Sequence, residues 1–333
     1  MVRINTNLVR YTNNLFIGAG TFMKTKKIME SIFIITILLT TNLFAADKIK
    51  IVTSLPDLAD IARQVGGDKV EVVAIAKGYQ DPHFVDPKPS HILKMIKADL
   101  FIHIGLDLEI GWVPPLLEKA RNRKIYYGGT GYLNASQNID LLEVPNTNPA
   151  ELRAQGDIHI YGNPHYWLDP ENGKIIAKNI CDKLIAIQPE DSGYFQENLN
   201  NFIDRLDAAI RIWEERMKPY KNVKIIAYHN SWPYFTKRFH IDVVSFIEPK
   251  PGIPPTPRHL VSVIKRIRTE NIKVIIISPY FDDKPAKTIA SKTGATVVSF
   301  APSVEAFKGV DNYLNLFEYN LTELIKAFEN YSN

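Results

Sequence analysis

Three histidines stand where an imidazole would be useful: His83 in "YQDPHFVDPKPS", His165 in "NPHYWLDP" and His229 in "IIAYHNSWPYF". Each falls at a boundary between a strand-like and a helix-like stretch, and His229 closes a buried strand at its carboxyl end, the edge where doubly wound sheets bind ligands. A neutral imidazole at such a place can move a proton or give a lone pair to a transition metal. Prolines next to His83 and His165 restrict the backbone and so lower the entropy lost when a ring is fixed on an ion, and the aromatic neighbours would wall the site. The separations, 82 residues from 83 to 165 and 64 from 165 to 229, are too long for a local zinc knuckle. Acting together, the three would meet only through tertiary folding, at a closure point between two halves of the chain. Spacing alone leaves a second possibility open, three unrelated loop histidines.

Four of the other five histidines have plainer roles. His103 falls inside an apolar strand, His91 early in an amphipathic helix, His240 at a strand start and His259 in the first turn of a helix, all positions of packing or surface exposure. His159 lies in a polar stretch between the first two candidate segments.

The elements that must position these residues follow a steady alternation. From residue 49, "IKIVTSL" reads as a buried strand, "PDLADIARQVGG" as a helix stopped by Gly66 and Gly67, "KVEVVAIA" as a strand, "PSHILKMIKA" as a helix and "DLFIHIG" as a strand. The rhythm lapses from 129 to 163, which reads as a long surface excursion with one short strand. The run 189–220 places Tyr194, Leu199, Phe202, Ile203, Leu206, Ile210 and Trp213 three and four apart, the stripe of one long amphipathic helix. Alternation then restarts with "VKIIAYH", "HIDVVSFI", "PRHLVSVIKRIRTE", "IKVIIIS" and "ATVVSF" and closes on a helix from about 312 to 331. The pattern predicts an α/β fold: two parallel-sheet lobes joined by one long helix, with residues 47–188 as the first lobe, 189–220 as the linking helix and 221–333 as the second lobe.

Residues 1–46 read differently. Lys24, Lys26 and Lys27 precede the apolar run "SIFIITILLTTNLFAA", after which the chain turns polar at Asp47. That is the layout of a secretory signal peptide with cleavage after Ala45 or Ala46, and residues 1–22 look like a misread upstream start. The only cysteine is Cys181, so none stands near the cleavage point to carry a lipid and no intrachain disulfide can form. Residues 1–45 hold five basic residues against Glu30, a balance of +4 that equals the formal charge of the whole chain. The mature part is near neutral, which argues against nucleic acid or an anionic membrane as partner.

On the stretches "SLPDLADIARQVGGDKVEV", "DPHFVDPKPS", "ADLFIHIGLDLE", "NPHYWLDPENGKIIAKNI" and "YHNSWPYFTKRF", in that order, the chain resembles the periplasmic zinc- and manganese-capturing solute-binding proteins of ABC transporters. The resemblance covers about 48–330. It implies two α/β lobes bridged by a rigid helix, a metal in the inter-lobe cleft with little lobe movement, and ligation by His83 and His165 from the first lobe and His229 from the second. It further implies a monomer in the periplasm that hands its ion to a membrane permease. Two features depart from the family pattern. The carboxylate usual after the last strand is replaced near Pro302, and the acidic residue at the end of the preceding strand by Ser278 and Pro279. Glu248, at the end of a second-lobe strand and followed by five closely spaced prolines, is the expected substitute ligand, with Asp282, Asp283 or a water as alternatives. The long His-rich loop of zinc members is reduced here to His159, for which at most a transient contact is expected.

Three imidazoles and one oxygen suit tetrahedral Zn(II), whereas an Mn(II) site would carry more carboxylate; Cu(II) and Ni(II) also accept imidazole. The second nitrogen of each ring needs an acceptor, for which Asp86, Asp169 and Glu109 are the nearby carboxylates in sequence. A secreted zinc hydrolase is the competing class, but the chain has no His-Glu-x-x-His helix and no Gly-x-Ser-x-Gly elbow. An adhesin has no support in the sequence beyond secretion.

Overall fold

The computed structural model describes residues 47–145 and 159–330. The expected signal region, 1–46, lies outside the described residues, as does the middle of the 129–163 excursion. Two four-stranded sheets, all parallel, form the frame. The first comprises β1 (Ile49–Thr53), β2 (Val70–Ala74), β3 (Leu100–His103) and β4 (Tyr132–Asn134) in the order β2-β1-β3-β4. The second comprises β5 (Lys224–Ala227), β6 (Asp242–Phe246), β7 (Val274–Ile277) and β8 (Thr296–Ser299) in the order β6-β5-β7-β8. Both sheets thus reverse their winding beside their first strand, β1 or β5, and the crevice outside the carboxyl ends there is the expected place for a ligand.

Helices α1 (Pro56–Gly66), α2 (Pro89–Lys97) and α3 (Val113–Ala120) accompany the first sheet, and α4 (Pro170–Ile187) and α5 (Ser192–Met217) lead to the second. Prolines start α1 and α2, where the missing N–H would have no partner anyway, and Gly67, with φ of 55°, ends α1. The alternation of periods does not announce α3, whose two adjacent prolines mask a short helix. On α5 the buried stripe is Phe195, Leu199, Phe202, Leu206, Ile210, Trp213 and Met217. Phe195 leads it, not Tyr194, and Ile203 is only half-buried. The expected helix 189–220 is this α-helix with a short 3-10 turn at either end.

The second half adds α6 (Pro233–Phe239), α7 (Pro257–Glu270), α8 (Lys284–Thr293) and α9 (Tyr313–Glu329). After β8 the chain returns to the first half. Val304 N donates to Asp57 Oδ1 (3.1 Å) and Tyr313 N to Asp60 Oδ2 (2.9 Å). Asp57 also accepts from the Ser303 hydroxyl, and α9 packs on α1 and α5. Gly173 in α4 permits this approach, because a Cβ there would run into the Tyr313 ring. One apolar core therefore runs from β1 through α5 to Phe300 and Phe317, while a smaller cluster around Ile226, Ile275 and Val263 lies on the other side of the second sheet.

Candidate metal centre

His83 and His165 are built the same way. Each is the third residue of an Asx-Pro-His triplet, Asp81-Pro82-His83 and Asn163-Pro164-His165. In the first, Asp81 Oδ1 accepts both the His83 backbone N–H (3.0 Å) and Nδ1 of the ring (2.7 Å). In the second, Asn163 Oδ1 does the same for His165, at 3.0 Å and 2.9 Å. An Asx side chain that caps the N–H two residues on forms a tight local turn, and the intervening proline fixes its own φ. The same oxygen then orients the ring. The amide of Asn163 is itself set by two donor bonds from Nδ2, to Glu143 Oε2 (3.0 Å) and to the carbonyl of Asn230 (2.9 Å), so Oδ1 must face the histidine.

His229 is positioned by the second sheet. It follows β5 by two residues, and its Nδ1 lies 2.6 Å from Oε2 of Glu248, two residues beyond β6. A carboxylate only accepts, so the proton sits on Nδ1 of both His83 and His229, and an amide oxygen imposes the same tautomer on His165. In all three rings Nε2 is left with its lone pair. Nε2 of His165 is fully buried and has no hydrogen-bond partner among the described residues.

The three rings converge. Their centroids are 5.4 Å (His83–His165), 5.8 Å (His83–His229) and 5.9 Å (His165–His229) apart, nearly an equilateral triangle. One ring nitrogen from each lies within 4.8 Å of the others, the only such group of potential metal ligands among the described residues. Burial, reinforced by neighbouring imidazoles, holds His165 well below the ordinary histidine value, which keeps it a neutral donor. At Asp81 burial pushes the carboxyl up, but the bonds to His83 outweigh it and hold the group below the usual carboxylate range.

A fourth imidazole is present. His159 Nε2 lies 3.1 Å from His83 Nε2, and the two rings stack at 5.1 Å. Burial lowers the His159 pKa to about 3. The site opens into a cavity of about 390 Å³ whose rim includes Glu143, Asn230 and Pro251.

Glu248, expected as the oxygen ligand, is brought to the site but stands behind His229 rather than among the converging nitrogens. Asp282 and Asp283 are exposed and serve the start of α8: Asp282 Oδ1 accepts from Lys284 N at 3.1 Å and Asp283 pairs with Lys287. The expected outer carboxylates are elsewhere too. Asp86 is exposed. Asp169 caps α4 and holds Arg238 of α6 through two bonds, 2.8 and 3.1 Å. Glu109 accepts the N–H groups of Ile104 and Gly105 and faces His103, which in turn bonds Tyr132. The ring-orienting groups are instead Asp81, Asn163 and Glu248. The signal for the first two is in the sequence as the repeated Asx-Pro-His triplet, whose first side chain can reach the N–H and the ring two residues on.

Comparison with known proteins agrees with this architecture. A manganese ABC transporter substrate-binding lipoprotein from Streptococcus anginosus is 27% identical over 291 residues, covering 85% of this chain and 90% of the relative. A crystal structure of ZnuA superposes with a TM-score of 0.72 at 23% identity, covering 84% of this chain and 99% of that one. The Mn-bound periplasmic metal binding protein from candidatus liberibacter asiaticus gives a TM-score of 0.66 at 21% identity, covering 83% and 98%. Both structural matches show the same two-lobed α/β fold. The family model described as "Zinc-uptake complex component A periplasmic" matches residues 51–327, and the chain belongs to that family of metal-binding components of ABC transporters.

Proposed function

We propose that this protein captures Zn(II) outside the cytoplasm, with His83, His165 and His229 as ligands, and delivers it to the membrane permease of an ABC importer. The observation that carries the reading is the common wiring of the three rings. Each is pinned at Nδ1 by an acceptor, Asp81, Asn163 or Glu248, and each directs an unprotonated nitrogen toward the same point. Outer acceptors of this kind fix ring orientation and raise donor strength at metal centres. An imidazole cluster without an inward carboxylate favours zinc over the manganese named for the streptococcal relative, because Mn(II) prefers oxygen donors.

In this reading the protein works as a monomer, free in the periplasm, without a nucleic acid partner and without catalysis of its own. No described helix is long and apolar enough to cross a membrane. The working division stays at 47–188, 189–220 and 221–333, with α9 laid back across the first half. The test is growth of a strain lacking the gene in zinc-chelated medium. Wild-type protein should restore growth and His165→Ala should not, and added zinc should rescue both. Growth that ignores zinc, or full rescue by His165→Ala, would contradict the reading.

A further inference from the structure

We infer that His159 is a fourth nitrogen ligand to the captured ion, so that the site closes as four imidazoles rather than three and an oxygen. This rests on the metal-capture reading above. The argument begins with protons. His83 gives its Nδ1 proton to Asp81, 2.7 Å away. A neutral imidazole carries one N–H. Nε2 of His83 is therefore bare, and Nε2 of His159 faces it at 3.1 Å. In its Nδ1–H tautomer His159 presents a second lone pair there, and a cation reached by both nitrogens would hold the two rings together.

The distance to His83 suits coordination, and ligation would draw the His159 ring inward, since it stands outside the group of three whose nitrogens lie within 4.8 Å of one another. Nitrogens each about 2.0–2.1 Å from a tetrahedral zinc stand about 3.3–3.4 Å apart, close to the 3.1 Å seen here. His159 further packs edge-on against His165, with centroids 6.3 Å apart. The chain reaches this position by a turn at Gly162, whose φ of 114° is open to glycine and where a Cβ would lie 3.0 Å from the carbonyl of Leu142.

His159 also answers the question left by the second half. The position at the end of β7 carries Ser278, which cannot supply a charge, and Glu248 is engaged with His229. Four neutral nitrogens leave the ion's two positive charges uncompensated in the inner shell. The carboxylates of Asp81 and Glu248, one ring away through His83 and His229, balance them from behind.

The experiment is zinc-edge X-ray absorption on the loaded full chain, paired with chelator-competition titration, for wild type, His159→Ala, His159→Phe and His229→Ala. Thermal melts would show that each variant folds, and His159→Phe keeps the ring volume. Wild type should show four imidazoles. Both His159 variants should show three and an oxygen, with Kd weakened by about 100-fold, the upper end of what loss of an outer-shell partner alone does. Three imidazoles and an oxygen in wild type, with unchanged Kd in the His159 variants, would overturn the assignment. Zinc bound equally well by His229→Ala would instead overturn the capture reading itself.

Discussion

Nδ1 of His229 lies 2.6 Å from Oε2 of Glu248, and the pair exists because β6 carries one extra residue. β5 and β6 begin in register as Lys224↔Asp242 and Ile225↔Val243, then shift to Ile226↔Ser245 and Ala227↔Phe246. Without the bulge at Val244, position 247 would stand beside 229, and the alternation of faces would carry Glu248 away. Continuing the shifted register two residues past the strand ends sets Glu248 beside His229, with Glu248 N donating to the carbonyl of Tyr228 at 2.9 Å.

Removing that acceptor should loosen the ring. Glu248→Ala is expected to weaken zinc binding by about 10–100-fold, and Glu248→Gln, which keeps an acceptor oxygen, by much less. Chelator-competition titration measures both. Equal losses in the two variants would point to charge, or to direct ligation by the carboxylate, instead of orientation.

The Asx-Pro-His triplet makes a parallel prediction. Asp81→Ala removes the acceptor for both the backbone N–H and Nδ1 of His83, so zinc affinity should fall by about 10–100-fold. Asp81→Asn should come close to wild type, since the second triplet works with Asn163 in that place. Affinity unchanged in Asp81→Ala would remove the turn from the account.

Asp169 should separate stability from binding. It caps α4 and holds Arg238, so Asp169→Asn is expected to cost about 1–3 kcal/mol of folding stability in denaturant titration, with zinc affinity at the wild-type level. A large loss of affinity at unchanged stability would return it to the metal site.

Asp57 gives a pH signature. Burial raises its pKa from 3.8 to about 7. Between these values the folded chain keeps a proton that the unfolded chain has lost, so the contribution to stability is complete below about pH 4 and is lost as pH rises through about 7. Relative to wild type, Asp57→Asn should therefore gain stability steadily from about pH 4 to about pH 7 in denaturant titrations. A difference between the two proteins that does not vary with pH would refute this.

Much of this was legible in the sequence because period and punctuation agree. The buried strands, the proline starts of α1 and α2, and the stripe of α5 announce themselves locally, and their order gives two parallel sheets. His83, His165 and His229 could be picked out because they stand at element ends. Their convergence could not be read from spacing, since it depends on how two sheets face each other across 146 residues, from 83 to 229. The bulge in β6 leaves no mark in "HIDVVSFI", so Glu248 could be singled out but not placed behind His229. The return of the chain after β8 rests on buried carboxylates, Asp57 and Asp60, that in sequence look like the polar face of a helix. His159 stands alone in a polar stretch with no periodic context, so nothing in the sequence marks its approach to His83.

The central claim is that these imidazoles share one ion. It is tested most directly by a crystal of zinc-loaded protein and an anomalous difference map at the zinc edge. The account predicts one peak, about 2.0–2.1 Å from Nε2 of each of His83, His165 and His229. A map with no peak among the three rings, or with zinc bound only elsewhere on the chain, would contradict it.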